Sequence, residues 1–100
     1  MSTAEVWLRG QLGGAPPALL ETMIAALGEG GDAVPAELAA AALRLYARVA
    51  RGQGGREDAL PLLAADALLT HAFQAQAEMR PRALDSLIAR CQDGLKEIVP

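Results

Sequence analysis

The chain has 100 residues, enough for one domain built on a single core. Hydrophobic residues make up 52% of it but aromatics only 3%; Ala and Leu, two of the best helix formers, supply most of the apolar content, so the material for a β-sheet is missing. The net charge of −3, scattered basic residues and the near absence of aromatic surface for base stacking disfavour general nucleic-acid binding.

The predicted elements run as five helices. Ser2 and Glu5 have the Ser-x-x-Glu spacing of a capping box, which satisfies two free backbone donors at a helix start. Val6, Trp7, Leu8 and Leu12 give that first helix its apolar side, and Gly13-Gly14 ends it. The second opens on Pro16-Pro17, tolerated in a first turn where no amide donor is needed. It carries Leu20, Met23, Ile24 and Leu27 at i, i+3, i+4, i+7, with Gly28 as its stop and a polar, glycine-rich turn from Gly28 to Asp32.

The third helix spans about Pro35 to Arg51, with an apolar stripe of Leu38, Ala42, Leu45 and Val49 widened by Leu43 and Tyr46. Ala39 to Ala42 has so little side-chain bulk that a neighbouring helix can approach closely. Gly52-Gln-Gly-Gly is the clearest break in the chain. The fifth helix starts at Pro81 and places Leu84, Ile88, Cys91, Leu95 and Ile98 in an alternating four-three seam.

The fourth helix, Asp58 to Met79, decides the packing. Acidic residues in its first turn oppose the helix dipole, and Pro61 lies near enough to the start to be accommodated. At 100° per residue, Leu60, Leu63, Ala64, Ala67 and Leu68 fall on one side and Leu62, Leu69 and Phe73 on the other. Only a strip with Thr70, Gln74 and Glu78 suits water. A helix apolar nearly all round must be wrapped by other helices or by a partner chain. The expected fold is therefore an all-α, compact bundle of about five helices, residues 1–100 as one domain, with a largely buried central fourth helix.

Several side chains are candidates for chemistry. Asp66 is the one acid in the middle of that apolar helix, and an unpaired carboxylate there is costly. It is expected to tie helices together through Thr70, one turn on, or through Arg44, Arg48 and Arg51, which share a face of the third helix at i, i+4, i+7. The same arginines can bind an anion such as phosphate, since a guanidinium suits bidentate contacts; the competing reading is a solvated face paired with Glu37, two turns back. His71 is the single histidine and lies on a different face from Asp66, so the pair does not suggest a metal site. Cys91 stands in the apolar seam of the fifth helix, as a small core residue rather than a nucleophile. Gly28-x-Gly30-Gly31 and Gly52-x-Gly54-Gly55 lack the Gly-Lys-Ser/Thr ending of a phosphate loop and read as turns. No catalytic, cofactor-binding or metal-ligating residue is assigned.

The stretch Asp66-Ala-Leu-Leu-Thr-His-Ala-Phe resembles a helix of trans-polyprenyl diphosphate synthases, where a similar Asp-Ala-Leu-Leu-Thr-x-Ala-Phe follows the first Asp-rich motif. It covers about a tenth of the chain. The Asp-Asp-x-x-Asp motif and adjoining arginine pair that the family's catalysis needs are absent. The resemblance implies a buried helix in an α-helical bundle; activity, magnesium and substrate do not carry over.

Cys91 has no second cysteine to pair with, so a reducing compartment is the simpler setting. The N-terminal residues lack the order of a signal peptide, and no uncharged apolar stretch approaches the roughly 20 residues that span a bilayer. A cytoplasmic protein is expected, and the excess of Arg over Lys with abundant Ala suggests a bacterial source. The favoured function is a non-enzymatic module that binds a protein partner or itself as a homodimer, with Leu62, Leu69, Phe73 and Trp7 as interface residues, Trp7 alternatively serving to anchor the first helix. The alternative is a bundle holding an apolar or phosphorylated small ligand between the third and fourth helices, distantly related to isoprenoid enzymes, with Arg44, Arg48 and Arg51 as its anion-binding residues.

Overall fold

The structure, a computed structural model, describes residues 1–29 and 33–98. Five α-helices follow one another: α1 (Thr3–Gln11), α2 (Pro17–Ala25), α3 (Val34–Ala50), α4 (Ala59–Met79) and α5 (Leu84–Ile98). Single 3₁₀ turns, Arg56–Asp58 and Pro81–Ala83, lead into α4 and α5.

Local chemistry sets the helix ends. Ser2 Oγ accepts from the Glu5 amide at 3.1 Å, one half of the expected capping box. The Glu5 carboxylate accepts from Arg9 Nε at 3.0 Å, one turn on. Helix α2 starts at the proline pair and stops at Ala25, ahead of Gly28. Its last free carbonyl, on Ala26, accepts from Arg44 Nε at 3.0 Å and Nη2 at 2.7 Å. A side chain from α3 thus satisfies a group that a glycine cap would otherwise serve. Gly30, Gly31 and Asp32 of the glycine-rich turn lie outside the described residues. Between α3 and α4, Gly54 takes φ of +74°, which favours glycine, and its amide donates to Asp58 Oδ2 at 3.0 Å.

Helix α4 makes the most extensive contacts in the bundle, chiefly with α3 and then with α2 and α5, which gives it its central position. Small residues pave this junction. Ala41 and Ala42 of α3 and Ala64, Ala65, Ala72 and Ala75 of α4 are all fully buried. Alanine on both helices lets their axes approach toward the short end of the usual range of about 8–10 Å. Leu8, Met23, Leu38 and Leu68 are the largest side chains fully enclosed. Deleting such a side chain typically costs about 2–5 kcal/mol, so these four carry much of the stability.

Two helices are turned relative to the sequence expectation. The inward side of α4 holds Pro61, Ala64, Ala65, Leu68, Ala72 and Ala75. Its outward side is broader than a strip of Thr70, Gln74 and Glu78, and includes Leu62, Leu63, Asp66 and Thr70. The buried line of α5 runs through Leu87 and Cys91, leaving Leu84, Ile88, Leu95 and Ile98 half-buried. One turn beyond Cys91, Gly94 meets α3: a Cβ there would lie 2.7 Å from Leu43 Cδ1. Glycine at this point lets α5 close onto α3.

Candidate interaction surfaces

The outer face of α4 is the first surface. Leu60, Leu62 and Leu63 are 38%, 42% and 57% exposed, three leucines within four residues. One turn on lies Asp66, which is also exposed. Its Oδ1 accepts from the Tyr46 hydroxyl of α3, while Thr70 Oγ1 donates to the Asp66 backbone carbonyl at 2.9 Å. The expected helix-to-helix tie therefore exists, but its partner is Tyr46. The arginines point elsewhere, and the Thr70 bond is a local one within α4. Because Asp66 reaches water, the burial cost that prompted the search for a cation does not arise. Burial raises the Tyr46 phenol well above its usual value near 10.0, and the hydrogen bond and negative charge of Asp66 push it the same way. Tyr46 is thus a neutral donor at physiological pH.

The other residues expected at an interface lie deeper. Leu69, Phe73 and Trp7 are half-buried and pack against the core. Trp7 stands edge-on to His71, with ring centroids 6.1 Å apart and planes at 68°. His71 Nδ1 is 2.8 Å from Gln74 Oε1. Gln74 Nε2 in turn donates to Glu78 Oε1 at 3.1 Å and more weakly to Gln11 Oε1 at 3.4 Å. Trp7 and this polar chain fasten α1 to α4.

The second surface is a groove of about 480 Å³ between α2 and α3. Arg44, Arg48 and Arg51 line it over an apolar floor that includes Leu27, Leu45 and Ala47. The sequence expectation set these arginines beside a channel between α3 and α4; they lie on the other flank of α3. Arg44 is anchored to the Ala26 carbonyl. Neither Arg48 nor Arg51 has a carboxylate within ion-pair distance among the described residues, where the one ion pair is Arg9–Glu5. Glu37, expected to pair with the stripe, is buried at 6% exposure. It approaches the α2 end at Gly28, where a Cβ would lie 3.8 Å from Glu37 Oε2 and 3.6 Å from Arg44 Nη2.

A third hollow, about 210 Å³, separates Ala36, Ala39, Ala40 and Leu43 of α3 from Leu87 and Cys91 of α5. Cys91 is 3% exposed. Burial pushes its thiol up and the Arg90 charge only partly opposes this, so the nucleophilic thiolate is disfavoured.

Among the described residues, no three His, Cys, Asp or Glu side chains gather as a metal site would require, and no helix is long and apolar enough to cross a membrane. No protein-family model, curated protein or solved structure matches the chain.

Proposed function

We propose that this protein is a small, non-enzymatic interaction module that docks through the outer face of α4. The observation that supports it is the cluster of Leu60, Leu62 and Leu63, solvent-facing side chains at the start of the most central helix. Neighbouring exposed apolar side chains rimmed by polar ones are a common mark of an interaction site. Each is roughly half exposed, so covering all three contributes on the order of 2–4 kcal/mol. That suffices for the centre of an interface and falls short of a whole one, which usually buries about 800 Å² on each partner. Tyr46, Asp66 and Thr70 supply a polar rim, the usual surround of an apolar contact.

The partner is either a second copy of the chain or another protein, and one experiment separates these. Sedimentation equilibrium of the wild type is compared with Leu62→Glu/Leu63→Glu, whose exposed positions should tolerate charge without unfolding. A concentration-dependent dimer that the double variant abolishes, with helicity and thermal midpoint retained, assigns the face to self-association. A wild-type monomer that retains a protein lost from the variant in parallel affinity capture assigns it to a heterologous partner. Monomers throughout, with identical captured proteins, would sink the proposal.

A further inference from the structure

We infer that the α2–α3 groove is a second docking surface, which receives an acidic amphipathic helix of a partner protein. It is distinct from the α4 face: Tyr46 leaves α3 toward α4, whereas Arg44 leaves it toward α2. Three of the molecule's nine basic residues converge on this groove, in a chain whose net charge is negative. Among the described residues, no acidic residue lines it. Two carboxylates border it: Glu37, buried near Arg44 at the Gly28 end of α2, and Glu97, lining a neighbouring hollow that shares Ala47 and Arg51.

The spacing of the charges selects the kind of occupant. Arg44 and Arg51 are seven residues apart, about 10.5 Å along the helix axis. Two hydrogen bonds to the Ala26 carbonyl hold the Arg44 guanidinium at the α2 end, so it does not swing over to share one small anion with Arg51. Arg44 is thus fixed at one end of the row, with Arg48 and Arg51 following along two turns. The matching ligand is a row of carboxylates at i, i+4, i+7 on another helix, whose apolar flank rests on Leu27, Leu45 and Ala47. The groove is also open, with all three arginines and Ala25 exposed. A small molecule there would remain largely in water, whereas typical small-ligand sites bury about 70–90% of the ligand.

The test uses the full chain and a labelled synthetic peptide of roughly 20 residues, beyond the length at which isolated helices are marginal, with Glu at i, i+4, i+7 and Leu on the adjoining face. Fluorescence anisotropy should show saturable binding that weakens at high salt and exceeds that of an isomer with the same residues scattered around the helix. Arg48→Glu/Arg51→Glu should weaken it at least about tenfold, and a peptide with Lys for Glu should bind this variant better than the wild type. Leu62→Glu/Leu63→Glu should leave it unchanged, which separates this surface from the α4 face. Equal binding of the two Glu isomers, or no loss in the double arginine variant, overturns the inference. So does saturable binding of pyrophosphate without binding of the peptide, which would assign the groove to small anions.

Discussion

The contact between Gly94 and Leu43 makes a prediction in which one substitution changes sign with its neighbour. Gly94 lies inside α5, where glycine costs about 0.8–1.0 kcal/mol of helix propensity relative to alanine. A Cβ at this position would sit 2.7 Å from Leu43 Cδ1 and 3.3 Å from Cδ2, against an ordinary carbon–carbon separation of about 3.5–4.0 Å. Leu43 must therefore move by roughly 1 Å. Leu43 is half-buried and its methyl groups can turn, so the overpacking cost should fall in the usual range of about 1–3 kcal/mol. Gly94→Ala in the wild type should then be neutral or destabilising by up to about 2 kcal/mol. In a Leu43→Ala background the obstructing methyls are gone, and the same substitution should stabilise by about 1 kcal/mol. Urea unfolding of the four proteins, followed by far-ultraviolet circular dichroism, measures the cycle; in a domain of this size 1 kcal/mol also moves the thermal midpoint by about 4–8 °C. If Gly94→Ala stabilises equally in both backgrounds, within about 0.5 kcal/mol, then α5 does not close on α3 through Gly94 and the reasoning fails.

Two further predictions concern side chains that join helices at the candidate surfaces. The raised pKa of Tyr46 means that the folded protein holds the phenolic proton more tightly than the unfolded chain. Its stabilising contribution is present in full below pH 10 and is lost as the pH rises through the folded value; Tyr46 is the single tyrosine, so tyrosinate absorbance reports it directly, and titration at the usual value in folded protein would contradict the burial and the Asp66 bond. Arg44→Ala should cost about 1–2 kcal/mol, reduced from the full value of a charge-assisted pair because Arg44 is exposed; Arg44→Lys should recover only part, since one ammonium cannot reproduce the guanidinium fork. Hydrogen exchange should quicken first at the Ala26 and Leu27 amides, which close the end of α2, and unchanged exchange there would separate Arg44 from the capping of that helix.

The existence and order of the helices were legible because glycine and proline punctuate this chain unusually clearly. Gly13-Gly14, Pro16-Pro17, Gly52 to Gly55 and Pro81 all fall in or beside the breaks between helices. Rotation about each axis was harder to read. Helix α4 is apolar nearly all round, so its hydrophobic pattern carries no phase, and the partner's shape decides which side turns inward. The alanines of α3 favour alanines opposite them, and Leu62 and Leu63 are left outside. In α5 the bulky apolar residues pointed to a seam through Leu84, Ile88 and Leu95. Where Leu43 of α3 presses on α5 it meets a glycine, which has no side chain for a hydrophobic pattern to register.

The partner of Asp66 was missed for a related reason. The sequence offered three arginines and one tyrosine on α3, and charge alone favoured an arginine. Residues 44 and 46 are separated by about 200° around a helix, so an arginine at 44 and a phenol at 46 cannot serve the same neighbour. Once α4 occupies the Tyr46 side, the arginine row must face α2, whatever the attraction between Arg and Asp. The same geometry divides the two proposed surfaces. The side of α3 that meets α4 supplies a neutral phenol to an acid at the rim of an exposed leucine cluster; the other side presents a row of three arginines, Arg44 among them held by the Ala26 carbonyl, above an apolar floor. A partner that recognises one surface by apolar contact has no electrostatic reason to prefer the other, so the two faces can be occupied independently, and charge reversal at Arg48 and Arg51 should leave association through Leu62 and Leu63 intact.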